Sequence, residues 1–249
     1  MENIIVFAAP GADREFALGV AEKLDIELTE KITEASRDLL LLQIAPDGVS
    51  LRQGNLVMQG DFSKLSLRVT PGKIGQEMLF KAAKIKNFEN TPLAVDATAG
   101  MGEDSFILAA AGARVKLFEK DPIIALLLSD ALRRGKNDPK IAAVISRMEF
   151  AEGDSLEYMR ETDEKPDIIY LDPMFPARSK SGLIKKKFQL LGQLEPPATD
   201  GEEMLRAAMN LRPKKIIVKR PAKGENLGNY KPHYSLKGKA IRYDCFVFA

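Results

Sequence analysis

The sequence predicts an α/β fold in which a mostly parallel sheet is covered by helices on both faces. Strands and helices alternate from about residue 93, the strands are continuously apolar, and the chain closes with an antiparallel hairpin. A smaller α/β unit precedes this part. The turn signal Thr70-Pro71-Gly72 separates the two, so we predict domains at residues 1–69 and 70–249.

The N-terminal unit is predicted from short periodic segments around one hairpin. Pro46-Asp47-Gly48 is a strong turn signal because glycine permits the positive φ that tight turns need. Asp13 precedes a segment of helical spacing and is a good helix-capping residue. The predicted strands are 4–9, 26–29, 39–45 and 49–53, and the predicted helix is 13–24.

Seven strands are predicted in the second domain. Pro122 stands at the start of a long apolar helix, where its fixed φ is favourable. The predicted strands are 93–97, 114–118, 148–151, 168–171, 215–218, 234–236 and 241–248, and the predicted helices are 76–86, 103–111, 122–134 and 202–210.

The composition indicates a globular intracellular protein. Of the 249 residues 45% are hydrophobic, which suffices for a sizeable core. Cys245 is the single cysteine, so an intrachain disulfide and a cysteine-based zinc site are excluded. The apolar run within residues 1–10 is too short for a signal peptide or a membrane span. We therefore expect a cytoplasmic protein without membrane or metal partners.

The segment 95–104 (VDATAGMGED) predicts a ligand-binding turn between a strand and a helix. Gly100 and Gly102 let the backbone pass close beneath a ligand, and the helix start offers unpaired N–H groups. A dinucleotide site would need a third glycine, and Glu103 and Asp104 would repel a pyrophosphate. These two carboxylates would instead attract an ammonium group, such as that of an amino-acid moiety. Asp96, which ends the strand, is a further candidate for the site. The alternative is a purely structural turn.

Acidic residues also follow the next two strands. Glu119 ends one strand, where a carboxylate can accept hydrogen bonds from both hydroxyls of a ribose. Asp154 follows the next, where it can accept a bond from an adenine amino group, while Ser155 can cap a helix. Alternatively, Glu119 is a surface acid paired with Lys116 or Lys120, and the other two are only caps.

The segment 167–176 (DIIYLDPMFP) predicts an acceptor site for an amine. A buried strand brings Asp172 to the carboxyl edge of the sheet, and prolines stiffen the following loop. Asp172 and the carbonyl of Pro173 can together hold one –NH₂ group, favouring charge that develops on its nitrogen. Phe175 offers a face for stacking a flipped base. The alternative is a rigid turn with a buried phenylalanine.

A run of basic residues follows the acceptor segment and continues in the C-terminal part of the chain. Lysine and arginine side chains of this kind bind phosphates without sequence choice, although charge runs are also common on solvated faces. The candidate RNA-binding residues are Arg178, Lys180, Lys185, Lys186, Lys187, Lys219 and Arg220.

Four segments together resemble the RsmJ (YhiQ) family of bacterial small-subunit ribosomal RNA guanine-N2 methyltransferases. These are 96–102 (DATAGMG), 118–120 (FEK), 170–176 (YLDPMFP) and 218–221 (VKRP). The resemblance implies a class I (Rossmann-like) methyltransferase with a small N-terminal extension and S-adenosylmethionine as methyl donor. The implied partner is small-subunit ribosomal RNA or the small ribosomal subunit, methylated on a guanosine N2 amine.

The resemblance also implies specific cofactor contacts. Carried over by position, these are Glu103, Asp104, Glu119, Lys120, Asp154, Ser155 and Asp172. Other acceptors stay open, namely another RNA, a DNA adenine or a protein glutamine, because the acceptor loop suits any planar amine or amide. A non-catalytic RNA-binding assembly factor with a vestigial pocket is an alternative of another class.

Overall fold

A computed structural model describes residues 3–33, 39–173, 190 and 200–248. Its strands are β1 Ile4–Ala8, β2 Leu28–Thr29, β3 Leu40–Ala45, β4 Gly48–Gln53, β5 Leu56–Met58, β6 Leu93–Asp96, β7 Arg114–Glu119, β8 Met148–Glu152, β9 Ile168–Leu171, β10 Lys215–Pro221, β11 Tyr234–Lys237 and β12 Ile241–Val247. Its α-helices are α1 Arg14–Leu24, α2 Met78–Ala83, α3 Glu103–Ala110, α4 Pro122–Lys136, α5 Ala142–Ile145, α6 Ser155–Glu161 and α7 Gly201–Asn210.

The larger sheet has seven strands in the order β11-β12-β10-β9-β6-β7-β8. The five central and edge strands from β10 to β8 run parallel, while β12 pairs antiparallel with both β10 and β11. Val95, Ile168 and Ile169 are fully buried, as expected for strands covered by helices on both faces. The predicted sheet with its closing antiparallel hairpin is confirmed.

The parallel strands deliver their last residues to one edge. The connections that follow β6, β7, β8 and β9 all begin at this carboxyl edge, and the strand order reverses between β6 and β9. In open α/β sheets this reversal opens the crevice where ligands bind. A ligand site is therefore expected among the residues that follow these four strands.

The smaller sheet has five strands in the order β2-β1-β3-β4-β5, and helix α4 joins it to the larger sheet. Ile123 and Leu127 of α4 pack in the core of the smaller sheet, whereas Leu128 and Leu132 pack in the core of the larger one. Burying one leucine is worth about 1.5–3 kcal/mol, so both faces of α4 contribute to stability. The predicted division at residue 69 stays a prediction.

A buried carboxylate fastens the hairpin of the smaller sheet to α4. Asp130 is 5% exposed and accepts hydrogen bonds from the Val49 backbone N–H, at 3.0 Å, and from the Arg134 side chain, at 2.8 Å. Gly48 faces this pair with φ +123°, and a Cβ there would lie 2.5 Å from the Asp130 carboxylate. The predicted turn glycine is therefore required both by its φ and by close packing.

Several local features differ from the predictions. Strand β5 was not predicted, because three residues are too short to show a periodic pattern. The predicted helix 76–86 is helical only over Met78–Ala83, flanked by 3-10 turns at Ile74–Gln76 and Ile85–Asn87. Lys84 ends the helix in the left-handed region, with φ 52°, so the pattern continues past the point where the backbone turns away.

Candidate active site

The loop 97–102 between β6 and α3 forms the centre of the site. Gly100 and Gly102 have φ of +53° and +73°, in the left-handed region that favours glycine. A Cβ on Gly102 would lie 2.8 Å from Leu128, so only glycine fits beneath the loop. A Cβ on Gly100 would meet no atom within 4 Å, so the space beside this residue is open.

Hydrogen bonds tie this loop to the ends of two other strands, β8 and β9. The Ala97 N–H donates to the carbonyl of Tyr170, at 3.0 Å, and the Ala97 carbonyl accepts from Ser155 Oγ, at 2.8 Å. The Asp172 N–H donates to Thr98 Oγ1, at 2.6 Å. The loops after β6, β8 and β9 are therefore held as one rigid surface.

Glu119 at the end of β7 faces the same loop. Its two oxygens accept from the backbone N–H groups of Gly100, at 2.9 Å, and Asp121, at 2.8 Å. Burial raises the pKa of Glu119, while these two hydrogen bonds oppose the rise. A carboxylate has about four acceptor positions, so Glu119 retains capacity for ribose hydroxyls. The alternative of a surface acid does not fit, because the residue is 7% exposed.

Asp96 lies behind the loop, and its predicted contact with the cofactor stays a prediction. It is 1% exposed and accepts from the Thr98 N–H, at 3.1 Å, and from Ser105 Oγ, at 2.5 Å. Burial raises its pKa to about 7. With both oxygens engaged inside the protein, Asp96 supports the turn.

The helix cap expected of Ser155 is provided by Asp154. Asp154 is the N-cap of α6, because its side chain accepts from the Leu156 N–H at 2.8 Å. Ser155 is buried and bonded to the central loop. Gly153 before them has φ +137°, and a Cβ there would meet no atom within 4 Å. The space beside Asp154 is therefore open, and its predicted adenine contact stays a prediction.

Asp104 and Asp172 meet across the crevice through a lysine. Lys219 Nζ at the end of β10 lies 2.7 Å from Asp104 Oδ2 and 2.8 Å from Asp172 Oδ2. The Tyr170 hydroxyl also donates to Asp104 Oδ2, at 2.6 Å. Burial raises the pKa of Asp172, and the Lys219 charge opposes that rise. Strand β9, which carries the acceptor segment, and helix α3 are thus joined by one charged network.

The remaining predicted cofactor contacts lie at the rim. Glu103 is exposed in the first turn of α3. Lys120 Nζ forms an ion pair with Asp200 Oδ2 at 3.0 Å, and its side chain is 56% exposed. Their contacts with the cofactor stay predictions.

The acceptor loop is described as far as Pro173, which is buried and packs beside Gly201 at the start of α7. Phe175 lies outside the described residues, and so do the basic residues Arg178, Lys180, Lys185, Lys186 and Lys187. The predicted stacking and RNA contacts of these six residues stay predictions.

Arg220, one of the candidate RNA-binding residues, lies inside the protein, and its predicted RNA contact stays a prediction. It is 7% exposed, and its Nε donates to the Glu225 carbonyl at 2.9 Å. The neighbouring strand residue Arg242 is also buried and bonded to the carbonyls of Pro221 and Gly224. Both arginines therefore organise the loop after β10 from inside the protein.

Sequence reasoning missed Thr98 and Tyr170. Both lie inside the two motifs but carry neutral hydroxyls, which charge and glycine patterns do not single out. Tyr170 is 1% exposed, and a buried tyrosine hydroxyl needs a partner, here Asp104. That requirement is the signal that points to an acid near this strand.

No metal site is apparent in the described part of the chain, where no group of three or more His, Cys, Asp or Glu side chains is placed to hold an ion. Among the same residues, every helix is too short or too polar to cross a bilayer.

Fold and site define a class I S-adenosylmethionine-dependent methyltransferase, and residues 26–248 match the family described as "Putative SAM-dependent methyltransferase". Ribosomal RNA small subunit methyltransferase J of Thioalkalivibrio sulfidiphilus is 37% identical over 94% of this chain and 93% of that protein. The protein of the same name from Pseudomonas syringae pv. syringae is 37% identical over 98% and 91%. The chain belongs to this family, the ribosomal RNA small subunit methyltransferases J.

A solved structure supports the same fold. The crystal structure of a SAM-dependent methyltransferase from Neisseria gonorrhoeae is 30% identical, covers 97% of this chain and 95% of its own, and superposes with a TM-score of 0.75.

The residues at the crevice fit S-adenosylmethionine by their chemistry. This cofactor carries an ammonium group, a sulfonium and a ribose diol, which favour acidic partners. Asp104, Glu119 and Asp172 provide carboxylates at or after the ends of three neighbouring strands, β6, β7 and β9. The open space at Gly100 and Gly153 leaves room beside them.

Proposed function

We propose that this protein transfers a methyl group from S-adenosylmethionine to the N2 amine of a guanosine in small-subunit ribosomal RNA. The observation that carries the proposal is the position of Asp172. Its backbone is bonded to Thr98 of the cofactor loop, and its carboxylate lies in the same charged network as Asp104. Acceptor and donor sites thus share one crevice. The relatives named above support small-subunit RNA as substrate, and a cytoplasmic location is part of the proposal.

The proposed chemistry depends mainly on positioning. S-adenosylmethionine supplies an activated methyl group on a positively charged sulfur. The exocyclic amine of guanine is a poor nucleophile, because its lone pair is delocalised into the ring. In the proposal, Asp172 Oδ1 and the Pro173 carbonyl accept the two N–H groups, which localises the lone pair and favours the charge that develops on nitrogen. The Asp172 carboxylate is also placed to take up the proton that the amine loses.

Glu119, Asp154 and Asp104 hold the cofactor in this proposal. Glu119 accepts from the ribose hydroxyls, Asp154 from the adenine amino group, and Asp104 faces the ammonium end. Because these residues follow different strands, each fixes a different part of one ligand. The RNA backbone is bound by the basic residues after the acceptor loop, where phosphate contacts supply affinity that salt weakens.

Nucleoside mapping of small-subunit RNA tests this function. In cells that lack the protein we expect one N2-methylguanosine to disappear from small-subunit RNA, measured by mass spectrometry of nuclease fragments. Re-expression of the wild type restores it, whereas the Asp172→Ala variant does not. A complete modification pattern without the protein contradicts the proposal. Loss of a methylated adenine or glutamine elsewhere instead indicates another acceptor.

A further inference from the structure

The ammonium of Lys219 is paired with two acids of the site, whereas a lysine that binds RNA phosphates would extend into solvent. Its side chain is 24% exposed, and its ammonium lies within 2.8 Å of a carboxylate oxygen on each side, one from Asp104 and one from Asp172. An ammonium has three N–H donors, so two of them are engaged inside the crevice. The residue is therefore directed toward the acids of the site.

The strand register explains why Lys219 reaches both acids. Val218 of β10 pairs with Leu171 of β9, so Lys219 and Asp172 leave neighbouring parallel strands side by side. Asp104 projects from the first turn of α3 into the same space and is fixed there by the Tyr170 hydroxyl. Acids from two separate elements thus converge on the ammonium that β10 carries.

Lys219, Asp104 and Asp172 form a charged cluster with one positive and two negative side chains. The titratable and charged groups that influence it from the elements packed around it are Asp96, Glu103, Asp104, Asp172, Tyr170, Tyr243, Arg68 and Glu77. Burial lowers the pKa of the Lys219 ammonium, but Asp104 and Asp172 raise it above its ordinary value. Lys219 therefore stays charged across the neutral range and is the counterion of two close acids.

We propose that Lys219 is a positioning residue that holds Asp172 ionised and oriented for the acceptor amine and keeps Asp104 beside it. This inference rests on the proposed function of Asp172. An opposite charge at this distance lowers a carboxylate pKa by about 1–3 units. Without the ammonium, Asp104 and Asp172 would repel each other in a partly buried site, and the burial that raises the pKa of Asp172 would no longer be opposed by a positive charge.

The test compares Lys219→Met and Lys219→Arg with the wild type and with Lys165→Met, an exposed lysine remote from the site. The first readout is the number of protons released when S-adenosylmethionine binds, measured by calorimetry in buffers of different ionisation enthalpy at pH 7. A cationic ligand favours ionised carboxylates, so we expect Lys219→Met to release about one proton more than the wild type. Lys219→Arg and Lys165→Met release as many as the wild type.

The second readout is the pH profile of kcat with small-subunit RNA. We expect the acidic limb of Lys219→Met to move upward by about one pH unit or more, so that activity lost at pH 7 returns at pH 9. We expect Lys219→Arg to retain most of the wild-type activity at pH 7. In both variants the KM for RNA and the salt dependence of RNA binding should stay unchanged. A phosphate contact predicts the opposite, with weaker RNA binding, a salt slope smaller by about one and an unmoved pH profile.

The two readouts separate this inference from the proposed function. Proton release needs no RNA, so it tests Lys219 even if the wild type methylates a different substrate. Equal proton release by the wild type and by Lys219→Met overturns the inference, and so does an unmoved pH profile in a folded variant. If Lys219→Met does not fold, Lys219→Gln takes its place in the same comparison.

Discussion

We expect replacement of Asp172 by alanine to abolish most methyl transfer but to leave the protein folded and able to bind S-adenosylmethionine. The backbone bond from Asp172 to Thr98 does not involve the carboxylate, and Lys219 keeps Asp104 as its partner. What the variant loses is the carboxylate that would hold the acceptor amine. Removal of one preorganised group that stabilises developing charge typically costs about 10²–10³ in kcat.

Asp163→Ala is a matched control, because Asp163 is an exposed acid in the loop before β9. Single-turnover assays with small-subunit RNA measure the rate, and calorimetry measures cofactor affinity. Asp172→Asn should recover little, since an amide offers one acceptor oxygen and takes up no proton. An Asp172→Ala variant with wild-type turnover would remove Asp172 from the reaction.

We expect replacement of Glu119 by alanine to weaken S-adenosylmethionine binding by about 100-fold or more. The side chain supports Gly100 and Asp121 through hydrogen bonds to their N–H groups. Hydrogen bonds to a charged group contribute about 1.5–3 kcal/mol each, and about 1.4 kcal/mol corresponds to a factor of ten in affinity. The variant loses both the proposed ribose contact and the shape of the loop.

Glu119→Gln separates these two effects, because it preserves the volume and one acceptor oxygen. We expect a loss of about tenfold, which corresponds to one charge-assisted hydrogen bond. Glu157→Ala on the exposed side of α6 is the control. Calorimetry with S-adenosylmethionine measures all three variants, with RNA affinity measured in parallel and expected to stay unchanged. Unaltered cofactor affinity in Glu119→Ala would contradict the assignment of the ribose site.

The strands and the two motif loops were predictable, because their signals are local. Continuous apolar runs such as Ile168–Leu171 define buried strands, and Gly100 and Gly102 mark a turn that other residues cannot form. Acids that end parallel strands must meet at one edge, so it was predictable from position alone that Glu119 and Asp172 lie beside the same loop. The class of the protein followed from these few residues.

Side-chain direction was not predictable. Asp96 and Arg220 have the charges expected at a binding surface, yet both face the interior because buried hydroxyl and carbonyl groups need partners there. The position of Lys219 depends on β10 lying next to β9, which is a strand order and not a sequence pattern. Likewise, no local signal shows that α4 packs against two sheets.

The most direct test of the account is methyl transfer by the purified protein. Small-subunit RNA is incubated with S-adenosylmethionine that carries a deuterated methyl group. The RNA is then digested to nucleosides, which are separated and identified by mass spectrometry. We predict that the label appears in N2-methylguanosine at one site and is absent when Asp172→Ala replaces the wild type. Label in another nucleoside, or none in the presence of bound cofactor, would contradict the account.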